Sequence, residues 1–299
     1  SAGKPTGAGL LVTLFALPVM ILFAPLSLWD SLSVLAIYCA MVFGYLDDRS
    51  RVPWGELKKG LLDAVVSVAV AAFIFAGNSE GGAMGIWLPF TKEIFHVPFW
   101  AYVPCAAFLL WFTMNATNCS DGVDGLAGSL TLITLVMLAV MLYVIIGYKP
   151  VADYLLIPCN PQSASWAVVV MIVAGAFGGY LWFNAEPSKI LMGDAGSRFL
   201  GILVATAVLV AGNPFLILAL SPVVLVNGGG GLGKLVLLRV AKKVGMNIGE
   251  DATIRKIRFP LHDHCKKNLG WTNAQVLMRF ILLQLVVMPI LLILFLKIR

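Results

Sequence analysis

The chain has 299 residues, 60% of them hydrophobic and 12% charged, against roughly 45–50% and about 25% in ordinary soluble domains. That balance puts residues 1–299 in a bilayer as one integral membrane domain and excludes a separate soluble domain. The formal charge of +6 comes from 21 Lys and Arg against 15 Asp and Glu. These basic residues cluster between apolar spans and line no single soluble face, which excludes nucleic acid as the partner and points to membrane orientation.

Ser1-Ala2-Gly3-Lys4-Pro5 reads as a loop without the charged and apolar regions of a signal peptide, and an earlier span is expected before it. About 20 apolar residues cross the hydrocarbon layer. Nine stretches then read as candidate spans: Leu10 to Leu28, Leu32 to Leu46, Leu61 to Gly77, Phe99 to Met114, Leu130 to Gly147, Trp166 to Phe183, Phe199 to Ala211, Phe215 to Val240 and Ala274 to Leu296. The second and seventh are short. Pro222 and the run Gly228 to Gly231 interrupt the eighth, which predicts a kinked or broken helix. The loop from Asn78 to Pro98 carries Gly81-Gly82 and alternating Ile86, Leu88 and Phe90, the pattern of a small hairpin. Cys39, Cys105, Cys119, Cys159 and Cys265 are scattered without CxxC spacing and predict neither a disulfide framework nor a zinc site. The expected fold is an all-α polytopic transmembrane bundle.

Successive spans alternate direction, so parity places the N-terminal segment and the loops at Asp47, Asn115, Glu186 and 241–273 on one side. That side holds Lys4, Arg49, Arg51, Lys58, Lys59, Lys189, Arg198, Arg239, Lys242, Lys243, Arg255, Lys256, Arg258, Lys266 and Lys267. The other holds only Lys92, Lys149, Lys297 and Arg299. Such a bias marks the basic side as cytoplasmic.

Four polar clusters fall on that face. Gly44-Tyr45-Leu46-Asp47-Asp48-Arg49 ends the second span, and Asn115 to Gly125, with Asn118, Asp121 and Asp124, follows the fourth. Asn184-Ala185-Glu186-Pro187 and Gly193-Asp194-Ala195-Gly196-Ser197 follow the sixth, and Pro260-Leu261-His262-Asp263-His264 precedes the last. Each has a bland reading. Asp47-Asp48 can be a solvated helix end, Asp121 and Asp124 can cap a helix or share one helical face, and the Gly193–Ser197 stretch can be a tight turn. Five carboxylates on one face of a membrane bundle repel one another and are costly beside lipid. A bound Mg²⁺ with oxygen ligands relieves that charge and leaves positions for phosphates, which suits phosphoryl chemistry. The His262-x-His264 pair, among oxygen-rich neighbours, reads as a phosphate or proton contact ahead of a zinc site.

The run Gly228-Gly229-Gly230-Gly231-Leu232-Gly233-Lys234 matches the start of a nucleotide P-loop, but Leu235 replaces the required Ser or Thr and no βαβ unit surrounds it. Helix packing or a lipid groove is the better use of those glycines.

In order and sidedness these clusters resemble the polyprenyl-phosphate N-acetylhexosamine-1-phosphate transferase superfamily over nearly the whole chain. The resemblance rests on Asp47-Asp48, Asn118-x-x-Asp121-Gly122-x-Asp124-Gly125, Gly193-Asp194-x-Gly196-Ser197 and His262-x-His264. Pro260 to His264, with Gly270-Trp271 and Gln275-Val276, is similar to the phospho-N-acetylmuramoyl-pentapeptide transferase branch. The resemblance implies about ten helices around a cytoplasmic cleft in a bacterial cell membrane, commonly as a homodimer. It implies transfer from UDP-N-acetylmuramoyl-pentapeptide to undecaprenyl phosphate, giving lipid I and UMP in peptidoglycan synthesis.

It also implies Asp194 as the Mg²⁺ ligand, Asp47 and Asp48 as catalytic carboxylates with Asp194 and His262, and Asn118, Asp121, Asp124, Asn184, His264 and Lys4 on the substrates. Three stretches depart from the family pattern. The family's three histidines read His262-Asp263-His264, Ser1 and Lys4 stand where Lys and Thr are usual, and Leu191 replaces an aromatic residue.

Two rivals remain. A sister enzyme would transfer N-acetylglucosamine-1-phosphate to the same kind of lipid, which Gly193 to Gly201 suits equally. An ion-coupled transporter would place its ionisable residues at the midplane, whereas these acids sit at span ends.

Overall fold

The computed structural model describes residues 3–52, 54–89, 91, 93–244 and 253–297. Ser1, Phe90, Lys92 and Arg299, and the side chains of Arg255 and Lys297, lie outside the described residues.

The apolar stretches fold as helices because a backbone in hydrocarbon must satisfy its own polar groups. In chain order these are α1 (Ala8–Phe23), α2 (Leu28–Arg49), α3 (Glu56–Asn78), α4 (Phe99–Cys119) and α5 (Leu126–Val140), which continues into a π-helical turn, Met141–Ile146. Short α6 (Lys149–Tyr154) leads to α7 (Ser163–Asn184) and α8 (Gly193–Val210). A broken passage follows: α9 (Leu216–Leu220), α10 (Pro222–Val224), a second π turn (Leu225–Gly229) and α11 (Gly230–Lys243). Then come α12 (Thr253–Lys256), α13 (Leu261–Leu269) and α14 (Asn273–Lys297).

Among the described residues eight helical segments are long and apolar enough to cross a membrane, and α1, at 16 residues, is shorter. The chain is therefore a multi-pass membrane protein. Two sequence expectations are corrected. The second and seventh spans are full-length helices of 22 and 18 residues, because polar residues such as Asp30, Asp47 and Asp194 lie inside them. Leu28 begins α2 and does not end the first span. The expected break in the eighth span is present. The hairpin is also present, as antiparallel β1 (Ala83–Trp87) and β2 (Ile94–Pro98), with Ile86 opposite Phe95.

The packing centre is α8. Every residue from Ala195 to Val210 is buried, and α8 lies against α1, α2, α3, α4 and α5. Glycine makes this closeness possible. A Cβ on Gly44 would stand 2.6 Å from the Asp194 backbone, and one on Gly201 would stand 2.6 Å from Met114 Cα. Small residues let helix backbones meet where lipid supplies no hydrophobic drive. Because α8 begins at Gly193, the close approach at Gly44 holds the end of α2 beside Asp194.

Candidate active site at the start of α8

The close approach at Gly44 sets the site. One turn further along the same face of α2, Asp48 accepts a hydrogen bond from the Ala195 amide at 3.2 Å. Asp48 thus caps α8 from another helix, meeting a free N–H and the positive end of the helix dipole. Its neighbour Asp47 is buried and engaged on both oxygens, by the Trp54 amide at 2.8 Å and by Lys59 Nζ at 2.6 Å.

Asp194 is the meeting point. Its Oδ2 lies 3.2 Å from Arg198 on the next turn of α8 and 3.9 Å from Lys59 on α3. Arg198 also pairs with Asp63 at 2.5 Å, a contact with 4% and 1% of the two side chains exposed. Asn115 donates to the other Asp63 oxygen at 3.4 Å. Ser197 donates to Asn118 Oδ1 at 3.1 Å, tying α8 to the end of α4.

The loop from Ser120 to Gly125 is not helical. This corrects the expectation that Asp121 and Asp124 share a helical face, and Asp124 does not cap α5, whose first flanking residue is Gly125 at φ 77°. The two acids are instead used separately. Asp124 takes Lys4 Nζ at 3.1 Å and the Ser188 amide at 3.0 Å. Burial works to raise its carboxyl, but Ser188 and Lys4 outweigh it and hold the group below the usual range. Asp121 has no such cation; loss of solvation first, then the charges of Asp194, Asp48 and Asp124, push it up to about 7.

Lys4 reaches Asp124 because the N-terminal segment is zipped to the α7–α8 connection. Leu191 N donates to Pro5 O at 3.0 Å, and Ala8 N donates to Leu191 O at 3.0 Å. Lys4 also donates to Ser188 at 2.8 Å. Asn184, at the end of α7, accepts from Gly125 N and donates to Ile190 O, both at 2.8 Å. It orders two site loops at once.

His262 approaches from α13. Its amide donates to Asn227 Oδ1 at 2.8 Å, and its Nδ1 lies 3.2 Å from the same oxygen. Asn227 belongs to the π turn of the broken helix, geometry frequently found at functional sites. Gly122 leaves room for the imidazole, since a Cβ there would collide with Nε2. Burial lowers the pKa of His262 below its ordinary value, with Asp263 opposing and Lys266 and Lys267 assisting. His262 is accordingly neutral at pH 7. His264 turns elsewhere and accepts from the Arg258 amide at 3.3 Å. Asp263 is held down chiefly by its hydrogen bond from Lys267, at 3.0 Å on the exposed side.

The structure thus gathers Asp47, Asp48, Asn118, Asp121, Asp124, Asn184, Asp194, Lys4 and His262 at one end of the bundle, while His264 accepts from the Arg258 amide of the preceding segment. It adds Lys59, Asp63, Ser188, Arg198 and Asn227, none of which sequence reasoning assigned to the site. Asp63 carried a readable signal, a carboxylate inside an apolar span. Among the described residues no group of three or more His, Cys, Asp or Glu side chains is arranged to hold a metal ion by itself. Beside the site, Phe108, Trp111, Phe112, Leu232, Val236 and Val240 line an apolar groove of ≈ 570 Å³ between α4 and α11. The glycines of the false P-loop pack there and nearby, Gly228 on Ala116, Gly229 on Phe112 and Gly230 on Phe259. The five cysteines are free.

The acid-rich site laced with lysine and arginine belongs to a multi-pass membrane protein of the transferase class: a family model described as glycosyl transferase family 4 matches residues 31–212. Phospho-N-acetylmuramoyl-pentapeptide-transferases from two strains of Treponema pallidum, one of them Nichols, are each 44% identical over 287 residues, covering 95% of this chain and 76% of theirs. That of Bartonella quintana (strain Toulouse) is 34% identical over 303 residues, covering 95% and 78%. The chain belongs to glycosyl transferase family 4 and, within it, to the phospho-N-acetylmuramoyl-pentapeptide-transferases.

Proposed function

We propose that the chain is a Mg²⁺-dependent transferase that moves phospho-N-acetylmuramoyl-pentapeptide from its UDP donor to undecaprenyl phosphate, giving lipid I and UMP at the cytoplasmic face of a bacterial cell membrane. The observation that carries this reading is the convergence of Asp47, Asp48 and Asp194 with Lys59 and Arg198 at the start of α8. Membership of the family supports the donor and acceptor.

The donor set fits Mg²⁺. Its carboxylate oxygens are hard ligands, and Mg²⁺ keeps several waters and uses one or two carboxylates plus substrate phosphates, so no closed protein cage is needed. Asp194, 23% exposed at its side chain, would hold the ion, with Asp48 beside it. When bound, the ion neutralises charge on the pyrophosphate and on departing UMP.

The remaining work falls to the chain itself. The positive end of the α8 dipole favours phosphate oxygens beside Asp194. Asp47, engaged on both oxygens, acts by fixing Lys59 and the Trp54 loop; Asp48 retains the more open carboxylate toward the reacting phosphates. A lipid phosphate, with a second pKa of ~6, is largely ionised at neutral pH and needs little help to attack. Asn118, Asp121, Asp124, Asn184 and Lys4 would serve the donor side, Asn184 by ordering the loops there. Neutral His262, with Nδ1 on Asn227, presents Nε2 as an acceptor suited to a hydroxyl or amide of the sugar-peptide. His264 would reach the donor from α13, and the apolar groove at Phe112 suits the acceptor's prenyl chain.

Purified chain in detergent, given undecaprenyl phosphate and either UDP-N-acetylmuramoyl-pentapeptide or UDP-N-acetylglucosamine, tests the reading. The expected result is UMP and a lipid-linked muramoyl-pentapeptide of the correct mass from the first donor only. Product from the second donor alone would assign the chain to the sister reaction.

A further inference from the structure

Arg198 is a costly residue to place where it stands. Its side chain and that of Asp63 are 4% and 1% exposed, and its Nε is a buried donor with no hydrogen-bond partner. Buried ion pairs seldom outperform apolar residues of similar volume in stabilising a fold. The compensating use lies at the other end of the guanidinium, where Nη2 meets Asp194 Oδ2 at 3.2 Å.

Resting on the reading of Asp194 as the Mg²⁺ ligand, we propose that Arg198 is a positioning residue and built-in competitor for that ion: a fixed cation that orients Asp194 and lowers its affinity for a divalent metal. Two cations approach Asp194, and they differ in freedom. Lys59 is 3.9 Å away on a flexible stem, with 19% of its side chain exposed and a closer partner in Asp47 at 2.6 Å. It can swing aside. Arg198 is clamped by Asp63 at 2.5 Å, and Asp63 is itself held by Asn115 at 3.4 Å. An arginine so held neither leaves nor loses its proton. The ion must therefore bind in competition with a permanent charge, and strong binding waits for the donor's phosphate oxygens to join the ligand set. The acidic cluster is thereby kept partly neutralised between turnovers without a tightly held metal.

The test uses the full chain in detergent, without donor or lipid, and titrates Mn²⁺ by electron paramagnetic resonance; the site counted is the one lost in Asp194→Asn. Removing Arg198 alone would leave Asp63 buried and unpaired, so the informative variant is Asp63→Asn with Arg198→Leu, which removes one charge of each sign. Its Mn²⁺ affinity is expected to be about three- to tenfold tighter than that of the unsubstituted chain. Arg198→Lys, which keeps the cation, is expected to stay within about twofold of it. If the leucine variant fails to fold, Asp63→Asn with Arg198→Gln gives the same comparison with a polar group retained. Unchanged or weaker affinity in the folded uncharged pair overturns the proposal, as does absence of the Asp194-dependent Mn²⁺ site from both proteins. The product assay is independent: lipid-linked product from the unsubstituted chain together with unchanged Mn²⁺ affinity in the pair defeats this proposal and leaves the transferase reading standing.

Discussion

Helix α2 carries carboxylates at both ends and uses them in opposite ways. At its start Asp30 is filled by neutral donors: the Ser27 amide at 3.3 Å, the Ser27 hydroxyl at 2.6 Å and Trp166 Nε1 at 2.8 Å. These form a capping box and a strut to α7, and no cation is involved. At its end Asp47 and Asp48 join Asp194, Asp121 and Asp124, countered in part by Lys4, Lys59 and Arg198. Fixed dipoles exhaust a carboxylate's capacity, whereas a crowd of acids with too few cations retains a demand for positive charge. One end of the helix is built for stability, and the other holds a charge imbalance that a ligand can relieve.

Substitutions in four parts of the molecule test that contrast. The largest effect is expected from separating the buried pair. Asp63→Asn or Arg198→Leu alone should cost about 3–5 kcal/mol, and making both should recover most of it; chemical denaturation in detergent checks this.

Next comes Asp121. Its folded carboxyl is raised from 3.8 to about 7, so between those values the folded state holds a proton that the unfolded chain has lost. Stability is then fully present below pH 4 and falls as pH rises through 7. Asp121→Asn should remove that decline, with a gain growing from pH 5 to pH 8 to the order of 2–4 kcal/mol, read as melting temperature in the presence of a chelator.

Asn227→Ala should leave His262 unaimed and slow transfer about tenfold, chiefly in kcat; steady-state kinetics on both substrates separates this from a binding loss. The smallest effect is expected at Asp30. Asp30→Asn should lower stability by about 1 kcal/mol and leave transfer within about twofold, measured by melting and by UMP release.

The bundle and the sidedness of the acids were legible because apolar length and acidic loops are one-dimensional signals. Lys59 and Arg198 were visible only as members of a basic bias, since sequence does not separate a lysine that orients the chain from one that reaches Asp47. Asp63 stood in plain view within an apolar span, and its partner, 135 positions away, did not. Asn227 was hidden in the glycine run, where its role depends on a π turn and on α13 docking against it. The spacing of Asp121 and Asp124 suited a shared face only if that turn were helical, and sequence does not show that it is a loop closed by Gly125 at φ 77°. Asp194 and Asp48 were legible as acids, but their meeting depends on Gly44 allowing α2 against α8.

The central claim is that the acids at the start of α8 perform the transfer with a divalent ion. Asp194→Asn, confirmed as folded by its melting profile, tests it by product mass and UMP release across a Mg²⁺ titration. Transfer is expected to slow at least about 10²-fold and to lose its response to Mg²⁺. Mg²⁺-dependent formation of the lipid-linked product at the unsubstituted rate would contradict it.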